Sequence, residues 1–308
     1  MSTEQNKTLV RRYLEQGWGS GDLSVLRDVV SQDFCDENPA PGQPCGFEGQ
    51  EWAIRTFRQG LSNISLRVDD LFGQDDRVVD RWTFSGTQTG EFMGLPATGR
   101  KFTMNGIDEC RIENGKIAEV WHVEDILGMM RQLGAAPAPP QQPQSYGRPS
   151  TGSGTGYGTQ PSDEDRKARL RRGFQDLIER GDLNRIPEYL APDFVGHFSA
   201  TPPVYGHDGF REFISIYTNG LSERRVEIHD LLIDGDKAFC RVTYHGKNTG
   251  TMMGMSPTGK TAKTNAMAIF RFSGDKVVEQ WGNNDDMGML QQLGVIPVQA
   301  GMTAPVPC

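Results

Sequence analysis

Two aspartates, Asp125 and Asp285, stand at equivalent places in Trp121-His122-Val123-Glu124-Asp125 and Trp281-Gly282-Asn283-Asn284-Asp285. A carboxylate enclosed by apolar surface loses hydration, so its pKa rises toward neutrality and it becomes an effective base for a proton on carbon. In an extended strand Trp121, Val123 and Asp125 share one face, as do Trp281, Asn283 and Asp285. Val123 favours a raised pKa for Asp125, whereas Asn283 can hydrogen-bond and keep Asp285 ionised. The same residues admit a structural reading: Asp directly before an apolar stretch such as Ile126 to Gln132 is a favoured helix N-cap. His122 lies close to Asp125 in the chain, but strand parity turns it to the opposite face, and its counterpart is Gly282.

Other candidates surround this pair. Trp121 and Trp281 supply packing area, as pocket wall or as core. Glu37 and its counterpart His197 fall in a loop leading into a predicted helix, where a polar residue fits a pocket rim or an exposed loop. Asn105 and Asn265, with Arg81 and Arg241, fall on predicted strands. Inside a pocket they would donate to a carbonyl or oxyanion; on the convex face they would form cross-strand polar pairs.

The elements that hold these residues occur twice. Gly21-Asp22-Leu23, Asp33-Phe34, Gly60-Leu61-Ser62, Met93-Gly94, Thr98-Gly99 and Gln132-Leu133-Gly134 each recur 160 residues later, with no slip in the spacing. Two copies are too few for a solenoid and predict two separate domains. Within the first, Thr8 to Trp18 shows helical spacing, a second short helix runs through Leu26 and Val30, and Gly49 to Leu61 gives a third. Ile64 to Phe72, Val78 to Thr89, Lys101 to Ile112 and Lys116 to Val123 alternate as strands, with a hairpin turn at Glu113-Asn114-Gly115. Helices first and an antiparallel meander afterwards predict an α+β fold, in which helices pack on the concave face of a curved antiparallel sheet and enclose a pocket. The domains are expected at 1–136 and 163–300, joined by a flexible Pro/Gly/Ser-rich linker at 137–162 and followed by a tail at 301–308.

The chain has 308 residues and a net charge of −8, with no concentrated basic face, which argues against a nucleic-acid partner. It lacks an apolar run of membrane-spanning length, and its polar N-terminus lacks the layout of a secretion signal; a cytoplasmic protein with no membrane partner is expected. The five cysteines are odd in number and scattered, which argues against a disulfide framework or a zinc site.

The words Gly86-Thr87-Gln88-Thr89-Gly90, Met93-Gly94-Leu95-Pro96-Ala97-Thr98-Gly99, Glu113-Asn114-Gly115-Lys116-Ile117, Glu119, Trp121, Asp125 and Gln132-Leu133-Gly134 resemble the SnoaL-like polyketide cyclases over nearly the whole of both copies. Where that family usually carries His in its GTHxG word, Gln88 and Asn248 stand here. The resemblance implies two tandem cone-shaped domains of the nuclear-transport-factor-2-like superfamily. It also implies an intramolecular aldol ring closure of a polyketide-derived ester without metal or cofactor, with Asp125 and Asp285 as acid/base. The expected ligand is a small hydrophobic or aromatic molecule, and the copies are expected to form an intramolecular pseudo-dimer, as many proteins of this fold pair through their sheets. The same cone also carries isomerases, dehydratases and hydrolases, and a non-catalytic ligand-binding or dimerisation module is a third reading.

Overall fold

Ser2 accepts the N–H of Gln5 while the Gln5 side chain accepts that of Ser2, and this reciprocal capping box starts α1 (Thr3–Arg12) earlier than the hydrophobic spacing predicts. At Tyr13 the backbone N–H is shared between the carbonyls of Leu9 and Val10, and the helix widens into a π-helical stretch, Tyr13–Ser20. Gly21, with φ of 75°, ends it, and Asp22 caps α2 (Leu23–Val29). β1 (Val30–Asp36), α3 (Phe47–Gly60), β2 (Leu61–Gln74), β3 (Arg77–Gln88), β4 (Lys101–Glu113), β5 (Lys116–Glu124) and α4 (Ile126–Leu133) follow.

This computed structural model describes residues 1–136, 161–199 and 201–297. Among the described residues the chain divides into two compact units, residues 1–136 and residues 161–199 with 201–297. Apart from its last two residues, the expected linker lies outside the described residues, as does the expected tail at 301–308.

The first sheet has the order β1-β5-β4-β3-β2. β2 to β5 form the expected antiparallel meander, but β1 adds to β5 in parallel, so the sheet is mixed and not purely antiparallel. Register sorts its faces. Asp80 opposes Asp108 and Asp108 opposes His122, while Arg81 opposes Ile107 and Ile107 opposes Val123. Directly opposed residues share a face. Val78, Trp82, Phe84, Met104, Cys110 and Val120 therefore lie on the face of His122, and they form one apolar core with Leu9, Val10, Tyr13 and Leu14, Leu26 of α2 and Ile54 of α3. That is the concave face, closed by the helices as expected.

The second unit repeats the plan. It contains α5 (Asp163–Gly173), a π-helical stretch Phe174–Glu179, α6 (Ile186–Tyr189), β6 (Leu190–Phe198), β7 (Val204–Tyr205), α7 (Gly206–Gly220), β8 (Leu221–Asp234), β9 (Lys237–Asn248), β10 (Thr261–Ser273), β11 (Lys276–Asn284) and α8 (Asp286–Gln292). Its sheet order is β7-β6-β11-β10-β9-β8, again with one parallel pair, β6 with β11.

The recurrent glycine-threonine words are structural pins. Gln88 is fully buried and donates to the carbonyls of Leu95 and Pro96 at 3.2 Å each, while Thr98 Oγ1 donates to its Oε1 at 2.6 Å. Asn248 ties Gly220, Gly250 and Thr258 in the same manner. Cys35, Cys110 and Cys240 are free thiols, whereas Cys45 is disulfide-bonded, a bond that the odd number and scatter of the cysteines had argued against. No described helix is long and apolar enough to cross a membrane.

Candidate active site

The cone interior of the first domain collects titratable groups that the chain order keeps apart. His122 projects from β5 between two carboxylates: its Nε2 lies 2.9 Å from Asp36 Oδ1 on β1, and its Nδ1 lies 2.5 Å from Glu124 Oε1. Asp36 is held from every side. Gln43 and Gln50 donate to its Oδ2 at 2.8 and 3.2 Å, and the Asn38 N–H donates to its Oδ1 at 3.0 Å. Tyr13, at the start of the π-helical stretch, donates its hydroxyl to Gln50 Oε1 at 2.8 Å. A chain Tyr13–Gln50–Asp36–His122–Glu124 thus crosses the cone.

Burial works against a charged His122, but the negative charges of Glu124 and Asp36 and the hydrogen bonds they accept override it, and the imidazole is held well above its usual range. Burial would likewise raise Asp36, yet the His122 charge and the converging donors hold it below the usual carboxylate range. This is a fixed imidazolium with its counter-charges in place.

Asp108 on β4, directly opposite His122, behaves differently. Burial pushes its carboxyl up to about 7; the His122 charge pulls it down, while the Glu124 and Asp36 charges add to the rise. Asp80 on β3, directly opposite Asp108, is raised well above the usual range by burial and then by the Asp108 charge. Two opposed carboxyls in so dry a setting do not both ionise. Both oxygens of Asp80, Oδ1 of Asp108 and the neighbouring Trp82 indole nitrogen are buried without a well-formed hydrogen bond, yet they stand close enough that the Trp82 N–H helps lower the Asp108 carboxyl and Asp108 helps raise Asp80. Buried polar atoms are normally paired, so a group this loosely paired is suited to meet polar atoms of a ligand or water. Gly106 makes room for the Trp82 indole, since a Cβ there would lie 2.1 Å from the ring.

Of the residues singled out from sequence, the structure brings only His122 into this cluster. Trp121 and Val123 share a face as parity predicts, and Asn105 and Arg81, whose face the sequence left open, lie on it too, but it is the outer face of the sheet. There the Arg77 guanidinium lies 4.9 Å above the Trp121 ring, and Arg81 pairs with Asp69 at 3.6 Å. Glu37, beyond the end of β1, accepts from the Cys35 thiol at 3.4 Å. In the second domain His197 stacks on Trp281 with ring centroids 5.5 Å apart and contacts Glu279 at 3.0 Å, while Asn265 accepts from Thr243 at 3.1 Å. Arg241, directly opposite Met267, keeps the register that places Arg81 on the outer face. Asp125 and Asp285 cap α4 and α8, each accepting the N–H three residues on, from Gly128 and Gly288, at 2.8 Å.

Sequence reasoning missed Asp36, Asp80, Asp108, Gln50, Tyr13 and Glu124. The signal was available in the repeat. At these positions the second copy carries Gly196, Cys240, Ala268, Phe210, Gly173 and Asn284, and Gly282 stands for His122. The interior of the second cone therefore holds none of the first cone's acid–base groups. Among the described residues, no group of three or more His, Cys, Asp or Glu side chains is arranged to hold a metal ion.

The sequence model of the SnoaL-like polyketide cyclases matches residues 8–133 and 168–293. Aklanonic acid methyl ester cyclase DauD of Streptomyces sp. (strain C5) is 27% identical over 133 residues, covering 41% of this chain and 80% of its own. Its counterpart DnrD of Streptomyces peucetius is 27% identical over 138 residues, covering 44% and 92%. Among solved structures, TsrD from Streptomyces laurentii is similar at 36% identity and a TM-score of 0.41, covering 44% of this chain and 98% of its own. IdmH from Streptomyces antibioticus, described as a putative polyketide cyclase, is similar at 30% and 0.39, covering 42% and 99%. With both halves matched, the chain belongs to the SnoaL-like polyketide cyclase family and carries that family's domain twice.

Proposed function

We propose that the first domain is the catalytic half and closes a ring in a polyketide-derived ester by an intramolecular aldol reaction, using only acid–base groups of the cone interior. The observation that carries this reading is the direct opposition of Asp108, a carboxyl poised near 7, and His122, an imidazolium fixed by two carboxylates. Base and acid at neighbouring positions, a carboxyl raised to about 7 beside an imidazole raised well above its usual range, are the pair an aldol reaction needs.

The Asp108 carboxylate takes the proton from the carbon between two carbonyls, leaving an enolate. The enolate carbon attacks a ketone of the same molecule, the new C–C bond forms, and the resulting alkoxide takes a proton from His122. Transfer of the proton from Asp108 back to the imidazole resets the pair, and the substrate has only been isomerised. The Trp82 N–H beside Asp108, with the Asp80 carboxyl whose proton burial favours, is suited to steady the oxygen on which charge develops. Asp36, saturated by its own hydrogen bonds, orients His122 and does not itself move protons. Asp125 and Asp285 keep their capping role.

The relatives' names supply the test substrate, aklanonic acid methyl ester. Turnover by the full chain should fall at least about a hundredfold in Asp108→Asn and in His122→Gln, with thermal melting confirming that both variants fold. Undiminished turnover in Asp108→Asn would sink the assignment.

A further inference from the structure

The second cone has not simply decayed. Where the first cone has Asp36 and His122, the second has Gly196 and Gly282, and the Phe198 ring lies across both: a Cβ on Gly196 would stand 2.5 Å from that ring, and one on Gly282 3.2 Å from it. Phe198 stacks on Phe213 with centroids 4.0 Å apart and planes 6° from parallel. Loss of the side chains and gain of the aromatic wall are one steric arrangement.

What remains is a cavity of about 140 Å³, walled by Phe174, Phe198, Phe213 and Phe270. Its neutral polar lining includes Tyr217, Thr218 and Tyr189, which donates to Asp176, and also Thr264, Gln280, Asn284 and the Tyr244 phenol, and the side chains of these last four make no hydrogen bond among the described residues. The basic groups along the lining are already engaged. Arg169 pairs with Asp275 at 3.0 Å, Arg224 donates to the carbonyls of Ile178, Thr218 and Leu221, and His245 meets Glu227 at 3.2 Å. An apolar cavity of roughly 150 Å³ admits a benzene ring. Here the aromatic wall adds stacking, and the unpaired donors add a requirement for acceptors.

We infer that the second domain is a binding domain without chemistry, which holds a flat, uncharged, ring-containing molecule whose oxygens meet Tyr244, Gln280 and Asn284. That the natural ligand is a polyketide-type ring system rests on the function proposed above; the binding itself does not.

The test is a fluorescence titration of the full chain with 1-naphthol, a neutral two-ring probe with one hydroxyl. Saturable binding is expected. Ala266→Leu, which fills the cavity from β10, should weaken it at least tenfold, with the melting temperature reporting whether the variant folds. Tyr244→Phe keeps the shape and removes only the hydroxyl; it should weaken 1-naphthol about two- to tenfold and leave naphthalene unaffected. Asp108→Asn, in the other cone, should change neither. No saturable binding, or binding lost in Asp108→Asn and kept in both second-domain variants, overturns the inference. Because turnover is not read, failure of the catalytic assignment would leave this outcome separately visible.

Discussion

At the scale of the residue, the first cone sets raised values at Asp108, Asp80 and His122 beside a lowered one at Asp36. Asp108 must be ionised to act as a base, so kcat/KM should rise with pH through about 7, the value to which burial pushes it. His122 must be protonated to act as an acid, so activity should fall again only well above its ordinary range. Asp36→Asn removes one of the two counter-charges on His122, so the falling limb should move to lower pH, and the rising limb, to which the Asp36 charge contributes least, should move the same way by less; a pH–rate profile of the variant reads both. Stability should carry a second signature. Asp80 has a raised folded-state pKa, so the folded chain binds its proton more tightly, and the associated stability is present below about pH 4 and lost as pH rises toward the folded value. Asp80→Asn should therefore melt a few degrees higher than the parent at pH 8, with the difference shrinking toward pH 4. In the sequence, parity correctly set His122 against Trp121 and Val123. The side of the sheet to which each belonged was not legible, because Val120 and His122 alternate with Trp121 and Val123 as one mixed stripe does with another. Only the helices of the structure mark the inside.

At the scale of the element, the ends of strands and helices determine what the interior contains. β1 carries Asp36, yet its sequence Val30-Ser31-Gln32-Asp33-Phe34-Cys35-Asp36 has no clean alternation, and its parallel pairing with β5 comes from a partner far along the chain. Local pattern does not encode such a strand. The helix stripe was legible, but the widening at Tyr13 was not, since it depends on a shared hydrogen bond and not on side-chain spacing. The Asp125 cap, one of two readings open in the sequence, now has a geometric basis: a Cβ on Gly128 would lie 2.1 Å from Asp125 Oδ2, and Gly288 repeats this contact with Asp285. Gly128→Ala should expel the capping carboxylate and, like Asp125→Ala, cost about 1 kcal/mol in thermal or denaturant unfolding. Turnover per folded molecule should be unchanged in both.

At the scale of the whole molecule, the proposed roles fall on different copies of one repeated domain. The gap-free repeat made the two-domain organisation readable at once, and the same alignment shows the divergence: the capping aspartates, the buried amides Gln88 and Asn248 and the strand framework persist, while each acid–base group of the first interior is replaced in the second. A tight inhibitor resembling the enolate should accordingly titrate one catalytic site per chain, not two. The most direct measurement is the rate of cyclised product formation from aklanonic acid methyl ester by the full chain, compared between Asp108→Asn and Asp285→Asn. The account predicts a loss of about a hundredfold or more in the first and a rate within about twofold of the parent in the second. Retained turnover in Asp108→Asn, or its loss in a folded Asp285→Asn, would contradict it.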